Sequence, residues 1–322
     1  MSKIIKKILN TFKLPIDLIA IFLCIPSALF FYMFRKYGSH KLFYTKKILN
    51  FIGVFPIIDH YYEPKFNHND TRQDFKNIRN LPGIKLNQKK QLEIIENLKF
   101  EKELQQLNLE MMSPNYKFNI KNNFFSYGDA EIYYQLIRHY NPKNIIEIGS
   151  GHSTLIALEA IKKNLDAGKN KSKITCVEPY ENKWLNKLNI ELVRSKVENL
   201  NIKDFFRLGL SDILFIDSSH IINPQGDVLK IYQEIIPNLN SGVIVHVHDI
   251  FTPRDYPAEW VIKENKFWNE QYLVETLLSD DNKYEILLLL NYLKNNFFDK
   301  IKKRCPYLKK IHEPKSLYFA IK

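Results

Sequence analysis

The segment Asn144-Ile-Ile-Glu-Ile-Gly-Ser-Gly-His-Ser-Thr-Leu155 constrains the fold more than any other part of the chain. Ile145, Ile146 and Ile148 form a short β-branched run between Pro142 and Gly149, the pattern of a strand covered on both faces. Gly149 and Gly151 let the backbone turn sharply and come close to a ligand, and Ser153 or Thr154 can cap a following helix. A buried strand, a glycine turn and a helix in that order belong to an open α/β sheet, whose ligands lie beyond the carboxyl ends of its strands.

A dinucleotide fingerprint would place a third glycine where Thr154 stands, and this departure counts against a pyrophosphate-bearing cofactor. Further on, Lys173-Ile-Thr-Cys-Val-Glu-Pro-Tyr180 repeats the pattern of a short apolar strand ending in an acid. Glu178 then stands where it can accept hydrogen bonds from ribose hydroxyls. Two strand ends, one glycine turn and one ribose acid describe a nucleoside site without a phosphate cradle, which suits S-adenosylmethionine better than NAD.

The rest of this region alternates as a doubly wound sheet should. Residues 190–197 read as the third strand, 213–217 as the fourth, 228–236 as a helix and 243–247 as the fifth strand, with 284–290 and 317–321 as the last two. Asp212-Ile-Leu-Phe-Ile-Asp-Ser-Ser-His220, Gly242-Val-Ile-Val-His-Val-His-Asp-Ile-Phe251 and Asn269-Glu-Gln-Tyr-Leu273 complete a pattern over residues 125–322. It resembles the class I S-adenosylmethionine-dependent methyltransferases and is similar to a bacterial branch of cephalosporin-hydroxylase-like and sugar O-methyltransferase proteins. The resemblance implies a Rossmann-like, mostly parallel sheet with an antiparallel last strand, and an enzyme that uses S-adenosylmethionine. By the same resemblance Glu147, Gly149, Ser150 and Gly151 line the methionine end of the cofactor, Glu178 meets the ribose, and Asp217 stands at the mouth of the fourth strand. The expected acceptor is a hydroxyl of a sugar or surface-glycan precursor. A small molecule, an amine, or a non-catalytic scaffold that only binds the cofactor are the alternatives.

Chemistry should gather where the fourth and fifth strands end, at Asp217, His220, His248 and Asp249. Two readings serve transfer to an oxygen. Asp217 and Asp249 can ligate a hard divalent cation that orients the acceptor and lowers its pKa. Alternatively His248 or His220 is a metal-free general base oriented by an Asp. Related sugar methyltransferases carry an acidic pair after the fifth strand where this chain has His248-Asp249, a change that favours Mn²⁺ over Mg²⁺ or a base without metal. His246, by alternation inside the strand, reads as a hydrogen-bonded core residue. The proline-rich loop at 252–257 and Trp260 are placed to cover the acceptor, with Arg254, Tyr256 and Asn269 as candidate contacts.

Before this region the chain changes character. Residues 18–34 carry no charge, with Lys3, Lys6, Lys7 and Lys13 before them and Arg35, Lys36, Lys41, Lys46 and Lys47 after. The run is long enough to span a bilayer, while Asp17, Pro26 and Ser27 suit an interfacial or re-entrant helix equally well. Residues 1–50 are therefore expected to form a membrane-associated segment through residues 14–34, and 51–124 a helical connector, with an aromatic turn at 60–64 and one amphipathic helix over 91–108. A net charge of +12, from 47 basic and 35 acidic side chains, favours an anionic membrane surface. No aromatic-interleaved basic stripe argues for nucleic acid. Cys24, Cys176 and Cys305 are too scattered for a disulfide framework or a zinc site. Because S-adenosylmethionine is a cytosolic cofactor, the catalytic domain is expected at the cytoplasmic face.

Overall fold

The computed structural model describes residues 13–58, 64, 71, 74–110, 117–180 and 182–322. The aromatic turn expected at 60–64 thus lies outside the described residues, Pro64 excepted. The chain divides into two compact units, 1–73 and 74–322, and the connector expected over 51–124 is shared between them.

The first unit contains α1 (Lys13–Tyr37) and α2 (Phe43–Ile52). Pro26 lies inside α1, and the Ser27 hydroxyl beside it donates to the Leu23 carbonyl at 2.8 Å. Within α1, Leu14–Tyr37 contains an 18-residue window of mean hydropathy 2.2 and is long and apolar enough to cross a membrane. Gly38 turns the chain at a φ of +104°, and the Lys41 N–H closes the turn on its carbonyl at 2.9 Å.

The second unit is built on a seven-stranded sheet. Its elements are α3 (Gln88–Asn97), α4 (Glu101–Gln106), α5 (Asp129–Tyr140), β1 (Asn144–Ile148), α6 (His152–Asp166), β2 (Lys173–Val177), β3 (Glu191–Val193), β4 (Ile213–Ile216), α7 (Asp227–Leu229), β5 (Ile244–Val247), α8 (Glu270–Leu278), β6 (Tyr284–Leu289), α9 (Leu290–Asn296), α10 (Phe298–Lys302) and β7 (Leu317–Ile321). The strand order is β3-β2-β1-β4-β5-β7-β6. The first five pair in parallel, and β7 runs antiparallel to both β5 and β6, as the resemblance implied.

Alternation along the central strands sorts their side chains into two cores. Ile145, Ile213, Phe215 and Ile244 join the residues of α5 and α6 on one face, while Ile146, Ile148, Leu214, Ile216, Val245 and Val247 pack on the other.

Several elements depart from the sequence reading. The single helix expected over 91–108 is two, because Leu98 takes an extended backbone and Arg304 donates to the Ile95 and Glu96 carbonyls at the end of α3. The third strand stops at Val193 rather than 197: it is an edge strand, and Val197 and Glu198 turn instead to line a cavity. The helix read at 228–236 runs from α7 into a π-helical turn at Lys230–Ile235 and a 3-10 turn at Ile236–Asn238.

Candidate active site

Four loop positions that begin just past the parallel strands are held in register by the backbone. Glu178 N–H donates to the Val193 carbonyl, Gly149 to Val177, Asp217 to Ile148 and His248 to Ile216, at 2.8 to 3.1 Å. The residues singled out from sequence therefore stand along one edge of the sheet, above a cavity of about 960 Å³.

On the β1–β2 side, Gly149 sits at φ +79°, and a Cβ there would lie 2.0 Å from the Asp217 carbonyl oxygen. Only glycine lets the turn pass this close to the end of β4. A Cβ on Gly151 would come within 3.0 Å of the Asn182 side-chain amide, which itself donates to the Ser150 carbonyl. Ser150, Gly151 and Glu178 line the cavity. The Glu178 carboxylate accepts from the Tyr180 N–H at 2.9 Å and the Ser150 N–H at 3.4 Å, so it braces the glycine turn from the neighbouring strand. His152, just beyond the turn, stacks on Phe124, with ring centroids 5.6 Å apart and planes 9° from parallel.

Glu147 requires a correction. Strand alternation turns its side chain away from the cavity and into the core beneath α5 and α6, where it is fully buried. There it accepts from the Thr154 and Tyr133 hydroxyls, with the Cys176 thiol 3.8 Å away. Burial, only partly offset by these bonds, raises its pKa to about 7. Thr154 is thereby used on Glu147, and Gly151, not Ser153 or Thr154, occupies the N-cap of α6. At the start of α5 Glu131 takes the Gly128 N–H at 3.0 Å, and Asp129 accepts from the Lys315 N–H at 2.9 Å.

On the β4–β5 side the four residues expected there do meet. His220 Nε2 lies 3.3 Å from Asp217 Oδ1 and 3.5 Å from Asp249 Oδ2, and its Nδ1 is 2.7 Å from Glu270 Oε2. His248 Nδ1 lies 3.5 Å from Asp217 and 3.6 Å from Asp249, with Asp129 3.7 Å from its Nε2. His220 and Asp249 both adopt left-handed backbones, at φ +62° and +60°. Such strain in non-glycine residues persists only where the surroundings hold it, here at both strand ends facing the cavity.

Burial opposes charge on both histidines, but the carboxylates outweigh it. Asp217 and Glu270 hold His220 well above the usual imidazole range, and Asp249 and Asp217 raise His248 to about 9. Burial likewise opposes charge on Asp217, yet His248 and His220 pull its carboxyl far down. His246 behaves as a core residue, with Nε2 2.9 Å from the Ser316 hydroxyl, its ring stacked on Tyr318 and its pKa depressed by burial.

Asp217, His248 and Asp249 each offer a ligand atom within 4.8 Å of the others. Both ring nitrogens of His248 are buried without a hydrogen-bond partner. That donor set fits a divalent cation, with His248 as a third ligand beside the two acids named from sequence. A protein cation also reaches the cluster, since Lys315 Nζ is 2.6 Å from Asp249 Oδ1.

Three residues here escaped the sequence reading. Lys315 precedes β7, and because β7 is antiparallel its start lies where β5 ends; the Ile250 N–H donates to the Lys315 carbonyl at 2.8 Å. Glu270 is an acid in the first turn of α8, which reads as a helix-dipole partner until the fold buries it against His220. Lys266 lies over the rings of Trp260 and Trp268, 3.9 and 4.5 Å from their centroids. Trp260, Trp268 and Lys266 line the cavity, and Trp268 is 4.2 Å from the His220 ring. Arg254, Tyr256 and Asn269 do not line it: Tyr256 is buried and accepts from the Gln271 N–H, and Asn269 accepts from the Ile222 N–H.

A family model described as a methyltransferase domain matches residues 146–250, the stretch that carries both halves of this cavity. An uncharacterized protein of Archaeoglobus fulgidus is 31% identical over 197 residues, which are 56% of this chain and 85% of that protein. Among solved structures, the O-methyltransferase from Bacillus cereus in complex with SAH is 12% identical at a TM-score of 0.37, covering 72% of this chain and 90% of its own. The O-methyltransferase TomG from Streptomyces achromogenes, involved in tomaymycin synthesis and solved with SAM, is 10% identical at a TM-score of 0.35, covering 74% of this chain and 91% of its own. At such distances the roles of individual residues rest on this chain's own geometry.

Proposed function

The chain belongs to the class I S-adenosylmethionine-dependent methyltransferases, and from this we propose that it methylates a hydroxyl of a sugar or surface-glycan precursor at the cytoplasmic face of a membrane. One observation carries the reading: a single cavity runs from the Gly149 turn and Glu178 to the cluster of half-buried Asp217 with buried His220, His248 and Asp249, and on to the Trp260 and Trp268 rings.

S-adenosylmethionine supplies an electrophilic methyl on a sulfonium, so alignment accounts for most of the rate. The glycine turn leaves room for it, and Glu178 is positioned for ribose hydroxyls. A hydroxyl acceptor, unlike an amine, must shed a proton as it is methylated, and His220 Nε2 faces the cavity among Asp217 and Asp249 while Glu270 fixes Nδ1. Asp217, His248 and Asp249 would hold a divalent cation, Mn²⁺ suiting the histidine better than Mg²⁺. Bound there, such an ion would polarise the hydroxyl and draw off the carboxylate charge that otherwise keeps His220 protonated. Two tryptophan rings beside polar groups suit the face of a sugar ring. Membrane placement is supported by the apolar length of α1 and its basic flank.

The test is calorimetry of S-adenosylmethionine on the full chain in detergent, with NAD as control, followed by an acceptor screen with and without Mg²⁺ or Mn²⁺. Binding of the sulfonium cofactor with turnover on glycan acceptors is expected. Binding without turnover on any acceptor class would favour the scaffold alternative, and turnover only on amines would move the reaction to nitrogen. Glu178→Ala should weaken cofactor binding by roughly 1.5–3 kcal/mol, the usual cost of a lost hydrogen bond to a charged group; a change under about threefold would remove the ribose assignment. Asp249→Asn should lower turnover and abolish sensitivity to chelators, whereas a chelator-insensitive parent enzyme would remove the metal from this reading.

A further inference from the structure

In the first unit α2 buries little of itself. Leu49 is buried, and Phe34 of α1 packs edge-on against Phe55 with centroids 6.4 Å apart. Tyr44, Ile48, Phe51 and Ile52 are instead exposed, by 80%, 59%, 93% and 63%. Their spacing of i, i+4, i+7 and i+8 puts them on one stripe of the helix. Val54, Phe55 and Ile57 extend this exposed apolar surface past the helix end. Lys47 flanks the stripe, Lys46 lies on the opposite face one turn from Asn50, Lys41 and Arg35 precede the helix, and no acid occurs between Asp17 and Asp59.

We propose that α2 lies flat in the headgroup region of an anionic bilayer, its stripe in the acyl boundary and Lys47 on lipid phosphates. This rests on the membrane part of the function proposed above and adds to it a second attachment element and a lipid class. Three features select lipid as the occupant. The stripe is continuous in sequence with a helix able to enter a bilayer. The charge around it is of one sign, which a second copy of the same surface would repel. Aromatic residues with a lysine at their edge match the interfacial layer, where amphipathic side chains snorkel. Anionic headgroups attract such a lysine, and losing that attraction should loosen the helix.

The experiment uses the full chain reconstituted with phosphatidylcholine vesicles, with and without phosphatidylglycerol, carrying brominated acyl chains. Phe51→Trp places a reporter on the stripe and Asn50→Trp places one on the opposite, exposed side. The added emission of Phe51→Trp is expected to be quenched several-fold more than that of Asn50→Trp, and only with phosphatidylglycerol present. Adding Lys47→Glu should reduce the seating equilibrium roughly fivefold, because the replaced lysine gives up its attraction to an anionic headgroup. If the chain floats with vesicles but both reporters are quenched alike, or the anionic lipid makes no difference, this inference falls and the membrane placement stands. Failure to float overturns both. A Phe51→Trp emission that shifts to the blue with protein concentration in the absence of vesicles would mean that a second copy covers the stripe, and would also overturn it.

Discussion

Gly149→Ala is expected to lose most S-adenosylmethionine binding and to lower stability, whereas Gly168→Ala is expected to lose stability alone. Both glycines sit in left-handed backbone, at φ +79° and +72°, so each substitution carries a conformational cost of roughly 1–2 kcal/mol. They differ in what a Cβ would meet. At Gly168 nothing lies within 4 Å, while at Gly149 the Cβ would sit 2.0 Å from the Asp217 carbonyl oxygen. That obstacle is backbone and cannot swing aside, so the turn or the end of β4 must move, adding about 1–3 kcal/mol of overpacking. The displacement also reaches Asp217 itself, which joins the cofactor and acceptor sides of the cavity. Thermal melts and calorimetry of the two variants side by side isolate the collision from the backbone strain. Equal melting and unaltered cofactor affinity in Gly149→Ala would show that the turn does not press on β4.

The same glycine shows why part of the site was legible in sequence and part was not. Gly149, Glu178, Asp217 and His248 each begin a loop directly after a parallel strand. Local pattern finds such positions because a strand end is marked by where the apolar run stops. Their convergence then follows from the sheet order alone. Lys315 and Glu270 reach the cluster through an antiparallel insertion and a helix start that no local pattern marks. Asp129 reaches it from the helix before β1, its carboxylate 3.7 Å from His248. The capping errors at Ser153 and Thr154 share a cause: a hydroxyl near a helix start reads as a cap, but a buried carboxyl competes for it.

Glu147 was misplaced because a strand alternates faces, and the residue two before a glycine turn points opposite to its neighbours. A buried core carboxyl and a cofactor ligand differ in a measurable way. With its folded pKa raised from 4.5 to about 7, Glu147 favours the fold while neutral. Its contribution is therefore fully present below about pH 4.5 and is lost as pH rises through about 7, a change on the order of 3 kcal/mol. Glu147→Gln keeps a neutral group that the Thr154 and Tyr133 hydroxyls can still bond by rotating, and it removes the titration. Urea unfolding from about pH 5 to about pH 8 should thus show the variant gaining on the parent chain by up to that amount, with S-adenosylmethionine affinity unchanged. Parallel stability curves would mean that the carboxylate ionises in the fold without cost. A more than tenfold loss of cofactor affinity at constant stability would instead return Glu147 to the cofactor site, since a side chain sealed beneath α5 and α6 has no direct route to a ligand in the cavity.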